Sequence, residues 1–341
     1  MGFKFLDKQD IVKSIDSVTA TLWGDNSPKL STFYTSSTQI ASNAGKYYHS
    51  VYQTASAEPS AAIQFSIAYC DINGSGSVDY NALITGYSPS RTNYGQYRTL
   101  VLGDEYGNFM FGTQTGSYFY ALPVERARYK EKLMKATLKL GISGSAMGLT
   151  LTDNSSIQAT QIFKDVGRKY ELVSGSSGTV YTEPEMPNGH TPGSGSYGWL
   201  LPDIGLILLN GHALDGNATS RGISLGTGRN ASTNDANPTK LVNALNSSSV
   251  GFTLNNEETL SSNYIFVRGR NDEFNYSANP SFISGSTGEI VHNAFIYNPK
   301  TYITTVGLYN ENQDLLAVAK LSRPLLKDFT KELLLRCKLD F

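Results

Sequence analysis

The residues whose types and spacing come nearest to a site run from Asp71 to Asp79, Asp-Ile-Asn-Gly-Ser-Gly-Ser-Val-Asp. Oxygen-bearing side chains fall at positions 1, 3, 5 and 9, with glycine at 6 and an apolar residue at 8, the opening of a calcium loop. Position 12 should supply a bidentate carboxylate and is Ala82, and the flanks are strand-like where a calcium loop has helices. The segment therefore reads as a Gly/Asn turn. Gly193, Gly195 and Gly198 fit the letters of a dinucleotide fingerprint, but that motif follows a strand and opens a helix, and here a Pro-containing loop precedes it and Pro202 follows. His49, His190, His212 and His292 have no metal-ligand spacing. Asp104 and Glu105, like Glu257 and Glu258, are sequence neighbours, which on a strand point to opposite faces and suit no acid–base pair. No P-loop lysine, nucleophile elbow or catalytic cysteine context is present. The sequence thus assigns no catalytic, cofactor-binding or metal residue, and the expectation is a protein that is not an enzyme and carries no cofactor.

The elements around these segments are mostly strands. Ile63, Phe65, Ile67 and Tyr69 alternate with Gln64, Ser66, Ala68 and Cys70, and the run closes on Asp71-Ile-Asn-Gly, a hairpin pattern. Similar runs cover 47–53, 98–102, 118–122, 169–173, 264–268 and 303–309, each bounded by Gly, Asn or Ser. The Asn310-Glu-Asn-Gln turn and the run 315–321 complete a second hairpin. The last strand places Leu333, Leu335, Cys337, Leu339 and Phe341 on one face, so the C-terminus should be tied into a sheet or a subunit contact. Helices are expected only over Asp7 to Val18, where Ile11, Ile15 and Val18 share a stripe, and from Asn237-Pro238 through Leu245. The fold class expected is mainly β: antiparallel, sandwich-like domains with long Gly/Ser/Asn-rich loops and a short N-terminal helical arm. The division is an arm (1–20), a β-rich body (21–214), an exposed loop or linker (215–250) and a β-rich C-terminal module (251–341).

Composition narrows the function classes. At 341 residues the chain can bury a large core without metal or disulfide, and Cys70 and Cys337 form no CxxC motif. Lysines and aspartates through the first sixteen residues leave no room for a secretory h-region, so synthesis in a cytoplasm is expected and the six Asn-x-Ser/Thr sequons carry no weight. The most apolar stretch, 199–209, is interrupted by Pro202, Asp203 and Gly205 and is too short for a membrane helix. Net charge is −1, which gives no field for nucleic acid. One basic run, 124–140, sets six basic residues against Glu125 and Glu131; it reads as a contact for an acidic partner or as a solvated face. The 21 tyrosines and 32 glycines suit a low-charge β-protein packed in an assembly, since tyrosine offers contact area with a polar tip.

Five segments read together carry a family resemblance: Tyr94-Gly-Gln-Tyr-Arg-Thr-Leu-Val-Leu-Gly-Asp-Glu, Val124-Glu-Arg-Ala-Arg-Tyr-Lys-Glu-Lys-Leu, Gly198-Trp-Leu-Leu-Pro-Asp-Ile-Gly, Phe274-Asn-Tyr-Ser-Ala-Asn-Pro-Ser-Phe, and Ala317 through Glu332. The chain resembles virion structural proteins of large T4-like contractile-tailed phages, particularly their marine and cyanobacterial relatives. The resemblance implies a location in the tail, baseplate or neck, packing against other virion subunits as a homo- or hetero-oligomer, and no enzymatic activity, membrane or direct nucleic-acid partner. A baseplate wedge or tail-associated part is the first expectation; a neck, collar or head-decoration part is the alternative. A different class, a receptor- or glycan-binding module of a fibre or spike, would use Tyr181, Tyr197 and Trp199 as its contact surface. A polysaccharide depolymerase would need a groove carboxylate pair that the sequence does not show.

Overall fold

A computed structural model of the chain describes residues 4–35, 48–74, 89–163, 165–183, 186–230 and 234–340. It is mainly β, 43% strand and 17% helix, with antiparallel sheets, one of them curled. The chain divides into two compact units. Unit 1 is Met1–Ser17 with Thr259–Phe341, and unit 2 is Val18–Glu258. Two strands, β1 (Ile11–Thr21) and β17 (Asn255–Gly269), run through the boundaries.

Unit 2 is built on β2 (Tyr34–Thr35), β3 (Tyr48–Tyr52), β4 (Ile63–Asp71), β5 (Phe109–Phe111), β6 (Gln114–Gly116), β7 (Tyr118–Pro123), β8 (Lys132–Leu133), β9 (Lys139–Ser143) and β10 (Gly148–Asp153). It continues with β11 (Gln161–Phe163), β12 (Gly167–Ser176), β13 (Thr179–Val180), β14 (Gly198–Leu201), β15 (Leu206–Asn210) and β16 (Phe252–Thr253). The main sheet runs β16-β9-β10-β12-β14-β15-β7-β4-β3-β2, with β11 and β13 attached to β12. Its central strands are buried on both faces, which is why they read as near-continuous apolar runs. Along β4, Phe65, Ile67 and Tyr69 enter one core while Ala68 and Cys70 enter a second. Along β15, Ile207 and Leu209 take the first side, Leu206 and Leu208 the other. The apolar stretch 199–209 is thus a pair of central strands, β14 and β15, joined at Gly205, whose φ of 66° needs no side chain.

The second core is roofed by the helix Ser90–Leu102 and the small hairpin β5–β6, through Tyr94, Val101, Phe109 and Phe111. A strand was expected over 98–102. The spacing of Tyr94, Tyr97 and Val101, all packed into this core, is helical, and Gly103 closes the helix in the left-handed region with its N–H donated to Thr99 O at 3.1 Å. The first core is covered by Trp23, Phe33, Phe252 and the helix Asn237–Asn246, which carries Pro238 in its first turn as its sequence indicates. Leu241 and Leu245 of that helix are fully buried, and so is Ile223. The stretch 215–250 therefore contributes side chains to the core, unlike the exposed linker expected from its polar composition.

Unit 1 contains β18 (Thr301–Tyr309), β19 (Leu315–Lys327) and β20 (Leu333–Asp340) beside its parts of β1 and β17. β20 pairs antiparallel with β17 from Leu333 opposite Gly269 to Asp340 opposite Ser262. Leu333 and Cys337 are buried and Leu334 is exposed, the alternation the sequence shows; Phe341 lies outside the described residues. The N-terminal helix is not formed over Asp7–Val18: a single 3-10 turn, Lys8–Asp10, leads into β1. Ile11, Val12, Ile15 and Val18, three of them at helical spacing, are β-branched and take the extended backbone that their χ1 restriction favours. β18 and β19 form the expected hairpin, with Asn310 N–H donated to Asp314 O at 3.0 Å across its turn.

Candidate functional site

In unit 2 a network of polar side chains lies where β4 ends beside the start of β7, with Asp71 opposite Tyr118. Asp71 is fully buried, and both its oxygens are taken by Arg229, Oδ2 by Nε and Oδ1 by Nη2, each at 2.8 Å. Tyr69, two residues earlier on the same strand face, donates its hydroxyl to Oδ2 at 2.8 Å, and Asn73 N–H donates to Oδ1 at 2.9 Å. Burial, then the Asp71 charge, pushes the Tyr69 phenol well up, so it stays a donor. The next layer repeats the arrangement: Tyr118 donates to Asp215 Oδ2 at 2.8 Å, while Thr227 gives Asp215 Oδ1 both its N–H, at 2.9 Å, and its hydroxyl, at 2.8 Å. The Arg229 guanidinium sits 4.5 Å over the Tyr118 ring.

At the edge of this network His212 Nε2 lies 3.0 Å from Ser117 Oγ, the contact distance of a nucleophile and its base. Burial, then the Arg229 charge, lowers the His212 pKa, which keeps the imidazole neutral near pH 7. Its would-be orienting carboxylates are committed elsewhere, Asp71 to Arg229 and Asp215 to Tyr118 and Thr227. Among the described residues, the arrangement joins His212 to no carboxylate by a hydrogen bond. Its physical effect is to fasten the segment that follows the short helix Gly211–Asp215 to the ends of β4 and β7 by a bidentate, charge-assisted bond. The start of the calcium-like loop is part of this fastening; Ser75, Gly76, Asp79 and Ala82 lie outside the described residues.

The remaining sequence candidates are scattered. His49 is buried in β3 with Nε2 3.3 Å from Thr239 Oγ1, and burial lowers its pKa. His190 Nε2 lies 3.0 Å from Glu171 Oε2. His292 meets the edge of Phe295. Glu258 pairs with Lys130 of the basic run at 2.6 Å, and both are solvent-exposed. Gly193 to Gly198 lead into β14, and only a single 3-10 turn, Pro202–Ile204, separates it from the next strand. Tyr197 is 0% exposed and Trp199 2%, so they cannot form the contact surface expected of a glycan-binding module; of the three only Tyr181 is exposed. What composition does not reveal is that aromatic residues flanked by Gly and Ser here are core, because glycine at 198 lets β14 approach Leu208 O within the reach of an added Cβ.

Unit 1 presents a different kind of surface. Along the β18–β19 hairpin Leu316 is 68% exposed, Tyr302 64% and Val318 57%, with Tyr309, Leu315 and Leu325 also exposed. The two strands form a sheet of their own, with no third strand among the described residues. A two-stranded ribbon is marginal in water, and exposed apolar patches mark contact surfaces. Beside it in sequence is an open groove of about 560 Å³ lined by Phe274, Tyr276, Phe282 and Phe295, with Lys4 and Glu273 paired at 2.6 Å on its rim. Sequence patterning found the hairpin but gave no sign of this groove, whose walls come from irregular segments without periodicity.

No family model, curated protein or solved structure matches the chain.

Proposed function

We propose that the chain is a structural subunit of a bacteriophage virion, a baseplate-wedge or tail-associated part of a contractile-tailed phage, acting by packing against other virion proteins and without chemistry. The observation that carries the assembly reading is the β18–β19 hairpin, whose large apolar side chains face solvent in the isolated chain. Burial of such a ribbon against neighbouring subunits removes apolar area from water at roughly 25 cal/mol per Å². The assignment to a phage tail rests on the resemblance of the five sequence segments. In a virion the protein is made in the host cytoplasm and ends in the tail. The test is immunogold labelling of purified particles with antibody to this chain. Label at the distal tail end supports the baseplate part; label at the neck or head moves it to the alternative collar or decoration part; unlabelled particles refute a virion role.

A second reading, a receptor- or glycan-binding module, is favoured by the unit 1 groove, since exposed aromatic faces ringed by carboxylate, amide and ammonium groups suit sugar rings. Binding of the isolated protein on a glycan array, lost in Tyr276→Ala, would establish it; no binding removes it.

A further inference from the structure

Unit 1 buries few apolar side chains. Among its described residues these are Ile265, Phe282, Leu333 and Cys337, whereas Asn275, Thr301, Lys327 and Asp328 are buried beside them. Lys327 stands out, because a lysine is almost never fully buried and this one is 1% exposed. Its Nζ donates to Asn275 Oδ1 at 2.8 Å, to Asn271 O at 2.9 Å and to Asp328 O at 3.0 Å. Asn275 is buried in turn, and its Nδ2 donates to Asn271 O at 2.7 Å, so the carboxamide is held with its oxygen toward the lysine. One carbonyl bond of about 1.23 Å beyond that oxygen lies Cγ, which places the amine nitrogen within about 4 Å of an amide carbon in a site closed to water.

We infer that Lys327 and Asn275 form an intramolecular isopeptide bond, a covalent modification site at the foot of the hairpin. The Nζ lone pair adds to Cγ once a proton has left the ammonium. The Cγ–Nδ2 bond then breaks, the carboxamide nitrogen takes up that proton, and it departs as ammonia, which is protonated to ammonium in water. Counted over the whole step, a lysine ammonium and a carboxamide become a secondary amide and an ammonium ion, with no oxidant or second reactant. The proton passes along the Nζ–H···Oδ1 hydrogen bond of 2.8 Å to the carboxamide itself; the Asp328 carboxylate is held by Thr330 and offers Nζ only its backbone oxygen. Proximity replaces activation here: both groups are immobilised by hydrogen bonds before reaction, the condition under which intramolecular steps gain most. The bond also answers a structural need. Lys327 pairs with Thr301 in the ladder, at the base of β18 and β19, and Thr301 Oγ1 donates to Phe274 O at 2.7 Å. A link from residue 327 to residue 275 therefore ties an exposed ribbon to the loop beneath it, in a unit whose apolar core is too thin to do so alone.

Mass spectrometry of the intact, unaltered chain tests this first. The expected mass is short by about 17 Da, one ammonia. Trypsin should fail to cut after Lys327 and release a branched peptide joining it to Asn275. Asn275→Ala and Lys327→Arg should each restore the missing mass relative to their own sequences. A chain of full calculated mass overturns the inference. So does a deficit that maps to a linear peptide, such as a succinimide at Asn73-Gly74, Asn188-Gly189 or Asn210-Gly211. Because the decisive reading is made on the unaltered protein, a variant that fails to fold does not blur it, and a failed phage assignment leaves it standing.

Discussion

The two units solve the same problem with opposite means. Unit 2 encloses its central strands between two apolar cores, so that Phe65, Tyr120 and Leu208 have no contact with water and Trp199 almost none. Unit 1 buries four apolar side chains among its described residues, leaves a ribbon of large ones outside, and spends its buried positions on a lysine, an asparagine and an aspartate held by hydrogen bonds. A chain that could build the first core had the residue types to build a second. Burial in unit 2 shows where this sequence puts apolar residues that serve the fold; on the assembly reading proposed above, those exposed on unit 1's hairpin are placed for a partner.

The largest effect that separates the units should come from removing Leu333 through Phe341. β20 supplies eight ladder positions along β17 and two of unit 1's four buried apolar side chains, Leu333 and Cys337. The expected outcome is loss of unit 1's protection in amide hydrogen exchange while unit 2 keeps its own; full protection in unit 1 after the deletion would break the comparison. A single substitution in unit 2 comes next. Phe65→Ala removes a ring packed against Trp23, Phe33 and Phe252, with centroid separations of 6.1, 6.1 and 5.6 Å. It should cost about 3–5 kcal/mol in urea unfolding, confined to unit 2's transition.

Acid should act on unit 2 through two carboxylates. Burial pushes the Glu171 carboxyl up, but His190 and Lys169 outweigh it and leave the pKa below the ordinary value. At Asp203 burial again opposes and Arg168, bonded through Nε at 3.0 and 3.1 Å and through its own N–H at 2.7 Å, prevails. A carboxyl depressed in the folded state contributes stability that is complete above its unfolded pKa, about 4, and is lost as pH falls toward the folded value. The melting temperature of unit 2 should thus decline below about pH 4. Glu171→Gln and Asp203→Asn should each flatten that decline, and an unchanged slope in both variants would show that the two pairs do not set it.

How much of this was legible in the sequence follows the same division. Period-two alternation found β4, β7, β18 and β20, because each keeps its side chains in register with a face. It missed the helix over 90–102, where Tyr, Gly and Thr mask a helical stripe, and it read β1 as a helix because Ile11 and Ile15 satisfy both periods and Val18 adds to the helical one. The network around Asp71 was beyond it: Arg229 lies 158 residues away, and no local pattern announces a partner at that separation. Lys327 was invisible for the same reason, a charged residue on a strand that composition assigns to solvent.

The smallest effect on the isolated chain is the most informative for function. Leu316→Ser in β19 changes a side chain that is mostly in water already, so the monomer's unfolding free energy should move by no more than about 0.5 kcal/mol. The same substitution in an assembled particle places a hydroxyl where the contact needs apolar area, and incorporation of the chain should fall sharply when variant and unaltered protein compete during assembly. Equal incorporation would detach the hairpin from assembly and leave its exposed residues without a partner. A large loss of monomer stability would instead mean that the ribbon is buried within its own chain, and the contrast between the two units would then lose its ground.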